Sequence, residues 1–123
     1  MRQIRSKDMK PELTVRRLTH AMGYRYRLHY SSLPGKPDLV FPARKKIVEV
    51  RGCFWHQHKG CIDAHIPKSN VSYWRPKLER NKRRDQRNMQ LWCKMGWKAL
   101  IIWECEAENL ALVALEIRHF LDR

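Results

Sequence analysis

The segment KIVEVR at residues 46–51 decides the fold, because its alternating apolar and charged side chains are typical of a β-strand. Residues two apart on a strand point to the same face. Glu49 and Arg51 therefore project together, while Val48 and Val50 face the core. A second strand begins at Asp38 and continues as LVF until Pro42 ends it. If these two strands pair, the carboxylates of Asp38 and Glu49 converge.

Further elements extend this pair of strands on both sides. Pro11 and Gly23 are typical start and stop residues of a helix, and Gly96 is a typical stop for another. The sequence predicts, in order, a helix at 11–22, a strand at 24–28, strands at 38–41 and 46–51, a helix from Val71 or Ser72 to Met95, a buried strand at 97–103 and a helix at 106–121. This α-β-β-β-α-β-α order predicts one α/β domain over residues 1–123, with helices packed on a mixed β-sheet.

The charge of the chain limits its partners. Its 123 residues include 26 Lys and Arg against 12 Asp and Glu, a formal net charge of +14. A field this positive favours a polyanion as partner, and composition alone leaves DNA, RNA and a membrane face open. No apolar run is long enough for a transmembrane helix, and no apolar region follows Met1–Arg5, so we expect neither membrane insertion nor export.

The two carboxylates indicate a divalent-cation site. Mg²⁺ prefers a few carboxylate or carbonyl oxygens, and Asp38 with Glu49 would supply them. Such an ion can activate a water and neutralise charge on a phosphodiester, and Arg51 would help to stabilise the transition state. The alternative is a surface Asp after a turn beside a solvated Glu–Arg pair. The spacing alone does not decide between these interpretations.

Cysteine and histidine are clustered within nine residues of irregular chain. Cys53, His58 and Cys61, with Cys105 after the last strand, would form a Cys₃His set suited to tetrahedral Zn²⁺. His56 would then remain free for chemistry. A zinc ion here would make a long loop rigid. The alternative is a group of inert thiols and surface histidines.

Aromatic residues accompany this cluster in a strongly basic chain. Phe54 and Trp55 follow Cys53, and Trp74 opens the basic helix. Apolar side chains inserted between base steps are a device of DNA-bending proteins. Packing of the three rings in the core is the equal alternative.

These motifs together resemble a known family, the very-short-patch mismatch repair endonucleases. The resemblance runs in order from about residue 4 to 105. It rests on these stretches: KPEL at 10–13, LPGKPDLV at 33–40, GCFWH at 52–56, Trp74 with Lys77, Asn81 and Asp85, and GWK at 96–98 with WEC at 103–105. It implies a fold like that of type II restriction endonucleases and DNA nicking near T:G mismatches left by deamination of 5-methylcytosine.

The resemblance also implies roles by position. Asp38 would be the central Mg²⁺ ligand, and Val50 would offer its backbone carbonyl to the metal. His56 would be the general base or the group that positions the water, and Glu12 would support the site from the first helix. The zinc set would be structural. The DNA contacts would come from the wedge of Phe54, Trp55 and Trp74 and from the basic-helix residues Lys77, Asn81 and Arg84.

One departure from the family pattern concerns the central strand. Where this chain has Glu49-Val50-Arg51, family members usually carry an apolar residue, then Thr or Val, then His or Asp. Glu49 is therefore expected to act as a metal ligand here, as in the wider nuclease pattern.

We expect a monomer in the bacterial cytoplasm, with mismatched double-stranded DNA as substrate and mismatch-repair proteins as further partners. Two rival hypotheses stay open. One is a divergent nuclease of a mobile or defence element with another target. The other is a zinc-stabilised DNA-binding module that has lost catalysis.

Overall fold

The computed structural model describes residues 10–123, so the Met1–Arg5 segment considered for export lies outside the described residues. Within this described part of the chain, three helices and three strands form a small α/β fold: α1 Pro11–Ala21, β1 Leu39–Phe41, β2 Lys46–Arg51, α2 Val71–Lys94, β3 Lys98–Trp103 and α3 Leu110–Leu121. Short 3₁₀ turns occupy Ile62–Ala64 and Glu106–Glu108. The mixed α/β class expected from the sequence is confirmed.

The sheet has the order β1-β2-β3, with β1 antiparallel and β3 parallel to the central β2. Leu39 pairs with Val48 in the antiparallel register, which places Asp38, one residue earlier, opposite Glu49. The long helix α2 makes the crossover between the two parallel strands. The two segments therefore pair, which is the condition on which Asp38 and Glu49 were expected to converge.

Apolar side chains cover both faces of the sheet. On one face, Val48 and Val50 of β2 pack with residues of α1 and α3, including Val15, Val113 and Ile117. On the other face, Ile47 packs with Val40, Leu33 and Trp92 of α2. The three helices thus enclose the sheet, and Val48 and Val50 face the core as expected.

Three sequence predictions need correction. Residues 24–28 do not form a strand: Arg27 alone pairs with Val40, through two backbone hydrogen bonds of 2.9 and 3.1 Å. The three-residue β1 offers too short an edge for more pairing, and the Tyr24 hydroxyl instead donates to Asp122 at 2.7 Å. The segment is held by packing rather than by a ladder.

The last strand and the last helix also differ from the prediction. β3 begins at Lys98 rather than residue 97, and Ile102 is its one buried residue, since β3 is the edge of the sheet. The helix expected from residue 106 starts as a 3₁₀ turn and restarts at Leu110. Asn109 causes the break, because its side chain accepts the Leu112 N–H at 3.2 Å and caps α3.

Candidate active site and metal centre

Two carboxylates meet where β1 enters the sheet. The Val50 N–H donates to Asp38 Oδ2 at 2.7 Å, which fixes that carboxylate against the central strand. Glu49, on the strand face opposite Val50, lines the same cavity of about 470 Å³. Burial raises the pKa of Asp38, and the nearby Glu12 carboxylate in the first turn of α1 adds to the rise. The convergence predicted from the strand pairing is thus present, with Glu12 beside it.

Glu49 has a cationic partner within its own strand. Arg51 Nε donates to Glu49 Oε2 at 2.8 Å, and both side chains are largely buried. Burial raises the pKa of Glu49, the Arg51 guanidinium opposes the rise, and Asp38 and Asp85 add to it. These neighbouring, partly buried carboxylates supply oxygen ligands, and a divalent cation would neutralise their negative charge.

His56 faces these carboxylates across the cavity and is held by a partner that sequence reasoning missed. Its Nδ1 lies 2.6 Å from Asp85 Oδ2, an aspartate in the middle of α2. Asp85 is 13 % exposed and His56 29 %. In the sequence, only the family resemblance marks Asp85. It lies in the middle of α2, where residues 79–88 have almost no apolar face, so the sequence pattern gives no signal of a role.

Three polar residues complete the wall of this cavity: Lys36, Arg84 and Asn88. Arg84, for which the resemblance implies a phosphate contact, lines the same cavity as Asp38 and His56, so the phosphate contact stays a prediction. Arg51, in contrast, does not line the cavity. It lines a neighbouring one that shares the His56–Asp85 pair as a wall.

The Cys₃His residues assemble as the sequence predicted. One ligand atom each of Cys53, His58, Cys61 and Cys105 lies within 4.8 Å of every other. His58 Nδ1 is 3.6 Å from the Cys53 sulfur and 3.5 Å from the Cys105 sulfur. A tetrahedral zinc ion holds sulfur and nitrogen ligands about 3.5 Å apart, so the cluster could hold such an ion.

The environment of the cluster fits a bound cation. Burial raises the pKa of the Cys53 thiol to about 12, so a thiolate there needs a positive neighbour. The His58 ring stacks on Trp103 at 4.2 Å with an interplanar angle of 10°, which orients its Nδ1. The loop from Gly52 onward is thereby tied to the end of β3.

The aromatic residues form a cluster at the surface. Phe54, Trp55 and Trp74 pack edge to face, with ring centroids 5.2 to 5.7 Å apart. Trp55 is 47 % exposed, and Tyr73, which no sequence motif marks, joins as a fourth ring with 57 % exposure. Phe54 and Trp74 are half-buried, and the rings lie outside the two core clusters, so the alternative of packing in the core does not hold.

The basic helix presents its charges beside these rings. Lys77, Asn81 and Arg84 line a shallow groove with Arg80, Arg83 and Arg87. Asn81 Nδ2 donates to the Trp55 carbonyl at 3.1 Å, and Lys77 Nζ donates to the Tyr73 hydroxyl at 3.3 Å. These two residues thus support the aromatic cluster as well as contributing to the groove.

Among residues 10–123, none of the helices combines the length and apolar character needed to cross a membrane. The basic groove on α2 lies next to the cavity lined by Asp38 and Glu49, and Arg84 lines both. That combination suits an enzyme that acts on a nucleic-acid phosphodiester.

Comparison with known proteins agrees with this chemistry. The family model described as DNA mismatch endonuclease Vsr matches residues 1–62. The type II nicking enzyme V.XorIIP of Xanthomonas oryzae pv. oryzae is 47 % identical over 99 % of this chain and 89 % of its own. The type II nicking enzyme V.NmeAIP of Neisseria meningitidis serogroup A is 42 % identical over 91 % of this chain and 79 % of its own.

The DNA mismatch endonuclease Vsr of Escherichia coli K12 is 34 % identical over 85 % of this chain and 67 % of its own. The likeness to V.XorIIP, over 99 % of this chain, includes the strands, the His56 loop, the Cys₃His cluster and the basic helix. The chain accordingly belongs to the Vsr family of DNA mismatch endonucleases and is a DNA endonuclease.

Proposed function

We propose that this protein is a Mg²⁺-dependent endonuclease that nicks one DNA strand at T:G mismatches arising from deamination of 5-methylcytosine. The observation that carries the proposal is the cavity in which Asp38 and Glu49 face the His56–Asp85 pair. Its relatives include nicking enzymes and a mismatch endonuclease, which supports the proposed reaction and target.

The residues proposed to hold Mg²⁺ are Asp38, Glu49 and the backbone carbonyl of Val50. Hard oxygen donors and shared burial of carboxylates fit this ion. When bound, Mg²⁺ would acidify a water and offset charge on the phosphate. Glu12 supports the site by adding negative charge beside Asp38, and the Val50 N–H keeps Asp38 in place.

His56 is proposed as the general base. Because Asp85 engages Nδ1, Nε2 is the ring nitrogen that remains to accept a proton from the attacking water. The water oxygen bonds to phosphorus, the P–O bond to one sugar breaks, and the leaving oxygen takes up a proton. Lys36 and Arg84 supply positive charge around the non-bridging oxygens in the transition state.

Zn²⁺ is proposed as the ion of the Cys₃His cluster, with a structural role. Cys53, His58, Cys61 and Cys105 supply all four ligands of a tetrahedral site, which leaves no position for substrate. His56 lies between two of these ligands in sequence. Fixing the loop would therefore fix the proposed base as well.

The DNA interface is proposed to combine a wedge with a basic groove. Phe54, Trp55 and Trp74 would insert beside the mismatch, and Lys77, Asn81 and Arg84 would contact the backbone. A restriction-endonuclease-like arrangement of one domain over residues 1–123, a monomeric state and cooperation with mismatch-repair proteins in the cytoplasm complete the proposal.

The test uses matched duplexes that differ in a single pair, T:G or T:A, placed in a methylated-cytosine context. Nicking is measured with Mg²⁺ and with EDTA. A metal-dependent nick in the T:G duplex alone is the expected result. Equal cutting of both duplexes would contradict mismatch recognition and favour a nuclease with another target. Tight, salt-sensitive binding without any cutting would favour the rival binding module.

A further inference from the structure

A second cavity lies on the far side of the His56–Asp85 pair. It measures about 590 Å³, and His56 and Asp85 line both it and the carboxylate cavity. Arg51, Lys59 and Lys82 contribute three positive charges to its wall. Among the described residues that line it, Asp85 supplies the one carboxylate, and His56 already engages that group at 2.6 Å.

Arg51 is buried in the wall of this cavity, and part of its guanidinium lacks a hydrogen-bond acceptor in the described part of the chain. Its side chain is 9 % exposed, and Nε donates to Glu49. Its Nη2 is buried and, within residues 10–123, has no hydrogen-bond partner. A guanidinium offers five N–H groups, and a buried cation with an unpaired N–H is unfavourable. The packing of the group over Trp103, at 5.9 Å, holds it at the cavity.

Such a cavity is suited to an oxyanion. Arg51 supplies a fixed planar donor, and the exposed Lys59 and Lys82 supply mobile ammonium groups. Planar guanidinium groups bind phosphate through paired hydrogen bonds. Because the wall is shared with the carboxylate cavity, an anion here would lie next to the phosphate being cut.

We propose that the cavity of Arg51, Lys59 and Lys82 binds a second phosphodiester of the cleaved DNA strand, adjacent to the scissile one. This inference rests on the proposed nicking function. Arg51 then acts as a positioning residue: it links the held phosphate to Glu49 through its Nε bond. The scissile group would be aligned by its neighbour rather than by the carboxylates alone.

The test changes the two exposed lysines, because substitution of Arg51 would also leave the buried Glu49 carboxylate unpaired. The variant is Lys59→Gln with Lys82→Gln. The matched control is Lys94→Gln with Arg118→Gln, which removes the same charge from exposed positions outside both cavities. Dissociation constants are measured at about 0.15 M salt, where distant charges are screened.

The DNA probes are T:G duplexes, each with one neutral methylphosphonate at a single position within three nucleotides of the mismatch, on either strand. At one position the wild type should lose roughly tenfold in affinity, about 1.4 kcal/mol. The Lys59→Gln, Lys82→Gln variant should lose less than twofold there, while the control variant responds as the wild type does. Equal losses for all three proteins at every position would overturn the proposal.

Two further readouts separate the possible failures. Nicking of the unmodified duplex tests the proposed function. The phosphate contact is tested by binding alone, at the duplex position where a methylphosphonate weakens the wild type but not the lysine variant. If the wild type nicks the T:G duplex but no methylphosphonate position distinguishes it from the lysine variant, this inference is refuted and the proposed function stands. Titration with inorganic phosphate in the absence of DNA tests for a free ion. If the Lys59→Gln, Lys82→Gln variant binds inorganic phosphate more weakly than the wild type and yet responds to every methylphosphonate as the wild type does, the cavity binds a free ion and the assignment to DNA is wrong.

Discussion

Replacement of Asp85 by Asn tests whether this aspartate acts through His56. The two side chains are joined by a 2.6 Å contact to Nδ1, and Asn keeps the shape while removing the charge. A hydrogen bond to a charged group contributes about 1.5–3 kcal/mol, which corresponds to roughly 10- to 150-fold in rate. General base catalysis as a whole contributes roughly 10²- to 10⁴-fold, so the expected loss lies at its lower end.

The assay is single-turnover nicking of a T:G duplex in Mg²⁺ with enzyme in excess, which reports the chemical step rather than product release. Asp85→Asn should slow nicking about 100-fold while the dissociation constant for DNA stays within twofold. Glu79→Gln is the matched control, since it removes one negative charge from an exposed position on the same helix. That variant should nick at the wild-type rate.

A double-mutant cycle decides the mechanism. If Asp85 acts by orienting His56, Asp85→Asn should have almost no effect in a His56→Ala background. A full 100-fold loss in that background would refute the reasoning. It would show that Asp85 acts on the substrate or a metal ion independently of the histidine.

Three further predictions address other parts of the molecule. Cys61→Ser should lower the amount of zinc bound per chain, measured by elemental analysis, and increase proteolysis within residues 52–72. Absence of zinc from the purified wild-type protein would contradict the Cys₃His assignment. Trp55→Ala should reduce the ratio of T:G to T:A nicking by about tenfold, because stacking on a base contributes about 1–3 kcal/mol, and an unchanged ratio would exclude the wedge. Gly35→Ala should cost more stability in thermal unfolding than Gly23→Ala, because both glycines have positive φ but an added Cβ at Gly35 would lie 2.6 Å from Asn88 Cγ; equal losses would show that the close approach is unimportant.

Local patterns predicted much of the site. The alternation in residues 46–51 and the strand that starts near Asp38 were enough to predict both strands and the convergence that follows if they pair. The structure supplies the pairing, which places Asp38 opposite Glu49. The tight spacing of Cys53, His58 and Cys61 was likewise enough to predict a cluster, which Cys105 completes. These inferences succeeded because the period of a strand and the length of a short loop limit where side chains can lie.

Long-range pairings were harder to predict. Asp85 lies 29 residues from His56 on a helix whose surrounding residues are nearly all polar, so no periodicity marked it. Residues 24–28 have the alternation of a strand, but the tertiary structure uses Tyr24 to anchor the end of α3. The separation of Arg51 from the carboxylate cavity depends on its packing over Trp103, a contact between two strands. Such features arise from the assembled fold, not from any one segment.

The most direct test of the central claim is nicking by Asp38→Asn. The Asn side chain retains an oxygen that can accept the Val50 N–H, so the strand pairing is expected to persist. Removing the carboxylate charge should abolish Mg²⁺-dependent nicking of a T:G duplex, while DNA binding and thermal stability stay close to those of the wild type. Wild-type nicking rates in Asp38→Asn would contradict the assignment of this cavity as the active site.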